Sequence, residues 1–319
     1  MLKTAICDLF GIKYPIIQGG MAHVATAELV AAVSDAGGLG IIGTGSAEAG
    51  WAREQIHLTR KQTDKPFGVN ILLISPFAEQ VIDVVLEEKV TVVTTGAGNP
   101  GPYIPRFKEA GIKVMPVVAS VALGRRLERA GADAFVAEGM ESGGEIGQIT
   151  TMALVPQVID KVAVPVVAAG GIADGRGLAA ALVLGAQGVQ MGTRFVCSEE
   201  CVAHPDYKQA IIDASDRATA ISGQSTGYPM RALENKLVHD FWEKEKTGIS
   251  VEELMEFGMG KVRLGLIEGD LENGTLLAGQ IAGMIKEVKS VKVIIEEMIA
   301  EAEAIIAQLH NAMGGSGRG

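Results

Sequence analysis

The sequence predicts an α/β fold, a closed (β/α)8 barrel of the TIM type with a mostly helical C-terminal cover subdomain. Three observations carry this. Eight short, nearly all-apolar runs alternate with helical patterns between Tyr14 and Met191, and such runs are what parallel strands buried on both faces require. Most of these runs end in glycine, which suits strand ends gathered on one ligand-binding face. From about His204 the rhythm stops. A doubly wound open sheet is the competing fold, but it usually has fewer strands and gives no reason for glycine at so many strand ends.

The first strand is read at 14–18, running into Gly19-Gly20, and a small-residue helix at 26–35 stops at Gly37-Gly38. A strand at 39–42 and an amphipathic helix at 47–63 follow, the helix broken by Asp64-Lys65-Pro66. After a strand at 67–73, Ser75-Pro76 reads as an N-cap with proline at the first helical position. Strands at 91–95, 113–118, 134–138, 165–169 and 188–191 complete the set, with helices at 121–129 and 177–184 among those between them. We divide the chain into a barrel at 1–203, a substrate-covering segment at 204–278, and 279–319, a C-terminal helix packed on the barrel plus a flexible tail at 314–319. The cover carries Tyr207, Tyr228, Phe241 and Trp242 in a chain only 4% aromatic. A helical decoration that merely extends the core is the other reading of this segment. The long amphipathic helix is expected at 288–311, rich in Ile and Glu.

The chain of 319 residues is long enough for a barrel of roughly 250 residues and an extra segment. Its net charge of −10 argues against non-specific nucleic-acid binding, while leaving room for a small anion at a local site. Three cysteines, Cys7, Cys197 and Cys201, make no even disulfide framework. Cys197 and Cys201 mimic half a metal site, but no Cys or His pair follows at ligand spacing, so no metal is expected. No run approaches about 18 uninterrupted apolar residues, so the expectation is a soluble, cytoplasmic protein without a membrane partner.

The chemistry concentrates at the glycine turns. Gly170-Gly171 and Gly192-Thr193 end two successive strands, and bare backbone N–H groups with a helix N-terminus behind them make a phosphate cradle. Gly96-Ala97-Gly98-Asn99-Pro100-Gly101 fits the dinucleotide pattern GxGxxG letter for letter, but no acid follows about 20 residues on, where that fingerprint needs one. It reads instead as a barrel loop over the site. Asn70 and Gln190 sit in apolar strands where an unpaired amide is costly, so each either bonds local backbone or meets a ligand.

On these residues the chain resembles the flavin-dependent enoyl-acyl-carrier-protein reductases (enoyl reductase II) within the nitronate monooxygenase, or 2-nitropropane dioxygenase, family. The matching stretches run in order over about the first 200 residues: 18–22, 36–40, 66–70, 95–100, 131–134, 138–144, 168–172 and 190–195. The resemblance implies an FMN barrel with the phosphate on Gly170, Gly171, Gly192 and Thr193. It sets the flavin ring against Gly20, Met21, Ala22, Asn70 and Gln190, with Glu138 also at the cofactor. It further implies NADH or NADPH as co-substrate, acyl carrier protein or a small molecule as partner, and a homodimer. Hydride passes to the β-carbon of an enoyl thioester in the family's reductases, whereas its nitronate oxidases let reduced flavin meet oxygen.

One position departs from the family pattern. The usual Gly-Gly-His-Ile-Gly, whose His is catalytic, here reads Gly143-Gly144-Glu145-Ile146-Gly147. A carboxylate donates a proton at neutral pH only if burial raises its pKa, and its charge opposes reduction of a nearby flavin. Glu145 is therefore a working base, the mark of a weakened site, or an engineered substitution, with His23 as the nearest alternative imidazole. Glu138 and Glu141 are expected to orient loop N–H groups. Lys208, Arg217, Arg231 and Lys236 are candidates for docking an acidic carrier protein, or simply a scattered solvated face. An FMN-binding regulatory protein with little turnover is the reading from another class.

Overall fold

The computed structural model describes residues 2–314. Of the tail expected at 314–319, Gly314 closes the last helix and the rest lies outside the described residues. The elements run α1 (Ala5–Phe10), β1 (Ile16–Gln18), α2 (Ala27–Asp35), β2 (Gly40–Gly43), α3 (Ala49–Gln62), β3 (Phe67–Leu72), α4 (Ala78–Glu87) and β4 (Val92–Gly96). Then come α5 (Ile104–Glu109), β5 (Lys113–Val114), β6 (Val117–Val118), α6 (Val121–Arg129), β7 (Phe135–Glu138), β8 (Gly144–Glu145), α7 (Thr151–Ile159), β9 (Val166–Ala169), α8 (Gly175–Val183) and β10 (Gly188–Met191). The remainder is α9 (Thr193–Val196), α10 (Pro205–Ile212), β11 (Thr219–Ser222), β12 (Met230–Leu233), α11 (Lys236–Thr247), α12 (Val251–Gly258), α13 (Lys261–Leu266) and α14 (Val291–Gly314).

All eight expected strands are present and parallel, in the orders β1-β10-β9-β7-β6 and β2-β3-β4-β5. Two seams join these halves into a barrel. At the first, β5 and β6 are one strand interrupted at Met115-Pro116, since proline has no N–H for the ladder; Met115 N–H still reaches Val93 O and Pro116 O accepts from Val136. At the second, a bridge between Ile17 and Leu39 ties β1 to β2. The Gln18 side chain extends that seam, its Oε1 accepting from Ile41 N and its Nε2 donating to Ile41 O, both at 3.2 Å.

Alternation sorts the strand residues into two cores. Ile17, Ile41, Val92, Met115, Val136 and Val167 meet inside the barrel. Ile16, Ile42, Val93, Val114, Phe135, Ala137 and Val166 point outward into the helix layer. Helix α1, which has no counterpart among the expected elements, closes the barrel interior with Ile6 and Phe10. Helix α6 opens at its Ser120 cap and α8 at Asp174, whose carboxylate accepts from Arg176 and Gly177 N–H. Helix α4 corrects one expectation: Ser75 Oγ accepts from Phe77 N in a turn, so the helix begins at Ala78 rather than at Pro76.

The cover differs from the helical expectation in one respect that matters below. It contains an antiparallel sheet, β11-β12-β8, whose third strand comes from the barrel loop after β7.

Candidate active site

The C-terminal ends of the barrel strands surround a cavity of about 500 Å³. Gly20, Met21, Ala22, Asn70, Glu138, Gly170, Gly171, Gln190, Gly192 and Thr193, expected at a cofactor, all line it, as does Glu145. Gly96, Ala97 and Gly98 line it too, so the GxGxxG look-alike is a loop over this cavity.

One wall is made by very close backbone approach. A Cβ on Gly20 would lie 2.2 Å from Asn70 Cβ, so glycine there is a steric requirement. Asn70 Nδ2 donates to Thr94 Oγ1 at 2.9 Å, which fixes the amide without consuming its oxygen. Gln190 is 8% exposed and its side chain makes no hydrogen bond among the described residues, so its amide is open to the cavity. At the opposite wall Gly170 and Gly171 take left-handed φ of 89° and 73°. Among the described residues, the N–H groups of Gly171, Gly192 and Thr193 donate to no backbone acceptor.

The loop from Glu138 to Gly147 carries the acids. Glu141 accepts from Thr151 N and Oγ1 at 2.9 Å and so caps α7, the orienting work expected of it. Glu138 does not share that work, which corrects the expectation. Its carboxyl accepts no backbone N–H among the described residues and is half-buried at the barrel end, where burial pushes its pKa up to about 7, with the charge of Glu145 adding to the rise. The Ser142 hydroxyl opposes that rise without reaching hydrogen-bonding geometry, and its buried Oγ has no partner among the described residues. Glu145 lies on β8 at the mouth, exposed on one side and crowded enough on the other for burial to raise its pKa.

His23 and the cover side chains lie differently from expectation. His23 contributes no surface to the cavity: its left-handed φ of 69° leaves it on the exposed outside of the turn, where burial on its inner side and Arg263 lower its pKa. The four aromatics of the cover do not gather at the cavity. Only Tyr207 reaches the cavity, its hydroxyl donating to Leu277 O, while Trp242 is spent on Ile221 O and Phe241 on the Phe257 ring. Of the four docking candidates, Arg217 and Lys236 are exposed, while the other two are taken up by the fold. Arg231 is 4% exposed and donates to Met140 O and Thr219 Oγ1, and Lys208 Nζ donates to Ser198 O and Cys201 O.

What sequence reasoning missed is the segment at 277–281, which supplies cavity wall through Leu277, Gly279 and Ile281. Gly279 N donates to Thr193 Oγ1 at 3.0 Å and Gln280 N to Glu141 O at 2.9 Å, so this segment holds the Gly192-Thr193 turn and the acid loop together. Its sequence is small and apolar, with no local signal for such a role. The three cysteines are buried thiols, and no cluster of potential metal ligands is found among the described residues. No helix among these residues is long and apolar enough to cross a membrane.

Known proteins share this arrangement. The profile of the nitronate monooxygenase family matches residues 3–81 and 76–301. The (3aS,4S,5R,7aS)-5-hydroxy-7a-methyl-1-oxo-octahydro-1H-indene-4-carboxyl-CoA dehydrogenase of Rhodococcus jostii is 33% identical, over 94% of this chain and 96% of its own. A probable nitronate monooxygenase of Staphylococcus saprophyticus is 38% identical over 75% of this chain and 80% of its own. Among solved structures, FabK from Thermotoga maritima superposes with a TM-score of 0.96 at 51% identity, covering 98% of this chain and 100% of that one. The nitroalkane oxidase of Streptomyces ansochromogenes gives a TM-score of 0.86 at 29% identity, covering 96% and 100%.

Proposed function

Because the chain belongs to the nitronate monooxygenase family, whose members are oxidoreductases, we propose that it reduces 2-enoyl thioesters with electrons from NADH or NADPH, using FMN held in the barrel cavity. The observation that carries this reading is the 51% identity to FabK, an enoyl-acyl-carrier-protein reductase, across nearly the whole chain. The Rhodococcus relative is named for a carboxyl-CoA substrate, again an acyl thioester.

The residues fit FMN on their own chemistry. A phosphate suits the turns at Gly170, Gly171, Gly192 and Thr193, where N–H groups stand open and the two consecutive left-handed residues form a concave backbone. A flat ring with a polar edge suits the wall at Gly20, Met21 and Ala22, where Asn70 and Gln190 present amide groups to the cavity. The buried Ser142 hydroxyl, beside Glu138, is a further donor at the cavity. When bound, FMN supplies two-electron chemistry, accepting hydride from the nicotinamide and passing it to the β-carbon. The chain's own part is to bind and orient both partners, to exclude water with the segment at 277–281, and to deliver a proton to the α-carbon. The residues at 204–278 serve as the cover.

Oxidation of alkyl nitronates is the second reading. It is favoured by the Staphylococcus and Streptomyces relatives and by Glu145, since a carboxylate base serves nitroalkane deprotonation as well as an imidazole does. One experiment tests the two together. The purified protein should show a flavin absorbance spectrum and, with NAD(P)H, consume crotonyl thioester under anaerobic conditions. Oxygen uptake with alkyl nitronates in the absence of NAD(P)H, without crotonyl turnover, would reverse the choice. A colourless protein that takes up no added FMN would remove both.

A further inference from the structure

The acid loop places three carboxyl groups on one cavity and leaves two of them, Glu138 and Glu145, without a cation. Glu138 ends β7 at the cavity, and Glu145 lies on β8 at its mouth. Charged neighbours on the surrounding elements are already engaged. Glu141 is spent on Thr151 at the start of α7, and the Arg231 guanidinium on β12 is spent on Met140 O and Thr219 Oγ1. Glu138 therefore faces one unneutralised group, Glu145, and a hydroxyl, Ser142, that satisfies no hydrogen bond among the described residues.

We propose that Glu138 is the group that holds and releases the proton consumed at the α-carbon, and that Glu145 is its exchange route to solvent. This rests on the thioester reading above. In the step, the α-carbon gains a bond to hydrogen as the Glu138 O–H breaks, and the O–H electron pair stays on the carboxylate. The carboxylate regains a proton from water by way of Glu145 at the mouth. The two electrons that reduce the C=C bond come from NAD(P)H, which is oxidised, so one proton and one hydride are consumed per turnover. Division of labour follows from position: the half-buried acid at the strand end keeps its proton near neutrality, and the exposed one at the mouth exchanges freely.

The test joins a direct titration to kinetics on FMN-loaded protein. Infrared difference spectra between acid and alkaline pH should contain a protonated-carboxyl band that titrates near pH 7 and is absent from Glu138→Gln. Glu145→Gln removes the neighbouring charge and should move that midpoint downward. Crotonyl-thioester turnover should fall above the same pH in the parent, and Glu138→Gln should lose on the order of 100-fold in kcat. A band that persists in Glu138→Gln, or a midpoint unmoved in Glu145→Gln, overturns the pairing. A variant whose kcat and pH profile match the parent overturns the catalytic role. A flavin-loaded parent inert to crotonyl thioester at every pH overturns the thioester reading and Glu138's part in it, and the infrared band tells that failure from the others.

Discussion

At the scale of single residues, Glu138 links stability to pH in a direction opposite to an ordinary surface acid. Its pKa rises from 4.5 to about 7 on folding, so the folded chain binds this proton more tightly than the unfolded one. The stabilisation is complete below the ordinary carboxylate range, declines as pH climbs between those two values, and is gone above about 7. Glu138→Gln stays neutral throughout, so relative to the parent it should gain on the order of 1–3 kcal/mol across that window. Denaturant unfolding at pH 5 and pH 8 checks this, and an unchanged difference between the two proteins contradicts it. The same residue marks how far sequence reasoning reaches. The chain announces an acid after the apolar run at 134–137, but not that the acid goes unpaired, because Glu141, three residues on, takes the helix cap either could have made. Gln190 is the converse case. An amide in an apolar strand left two readings open, and the structure leaves it facing the cavity with no backbone partner.

At the scale of elements, the loop that carries Glu145 belongs to the cover sheet as much as to the barrel. Residues Gly144 and Glu145 pair with Arg231 and Met230, and Ile146 N donates to Pro229 O at 3.0 Å. Arg231 pins the root of the same loop at Met140. Arg231→Met should therefore leave Met140 O unpaired at a cost of about 1–3 kcal/mol and speed amide exchange at residues 144–146, with the barrel strands unaffected. Exchange at those amides as slow as in the parent would mean the strand pairing alone holds the loop. The contrast with the barrel is physical. Its strands are legible because burial on two faces forces continuous apolar runs such as Val166–Ala169, and because glycine ends them. Strand β8 is Gly-Glu, and its strand character comes wholly from a partner more than 80 residues away, so no local pattern announces it. Helix α1 fails for a related reason: six residues make too short a period to read, and only the open barrel end above them explains why Ile6 and Phe10 are apolar.

At the scale of the whole molecule, the C-terminal helix buttresses from behind the side of the barrel proposed to hold the cofactor. Helix α14 packs along α8, and α8 opens four residues after Gly171, so the turn proposed to hold phosphate is backed by the far end of the chain. The contact is tight at Gly175. Its N–H donates to Glu301 Oε2 at 2.8 Å, and an added Cβ would lie 2.6 Å from Met298 O and from Glu301 Cβ. Backbone cannot yield there as a side-chain tip would, so Gly175→Ala has to push α14 off α8 or displace the start of α8. Overpacking of this kind costs about 1–3 kcal/mol, which for a chain of this length lowers the unfolding midpoint by a few degrees. Displacement of α8 also moves the Gly170-Gly171 turn, so flavin should be released at a lower temperature than from the parent, in step with or ahead of unfolding. Following flavin fluorescence and circular dichroism through one thermal scan separates the cases. A midpoint equal to the parent's would show that α14 can slide without cost. A lowered midpoint with flavin retained until the parent's release temperature would show that the buttress serves the fold and not the cofactor turn.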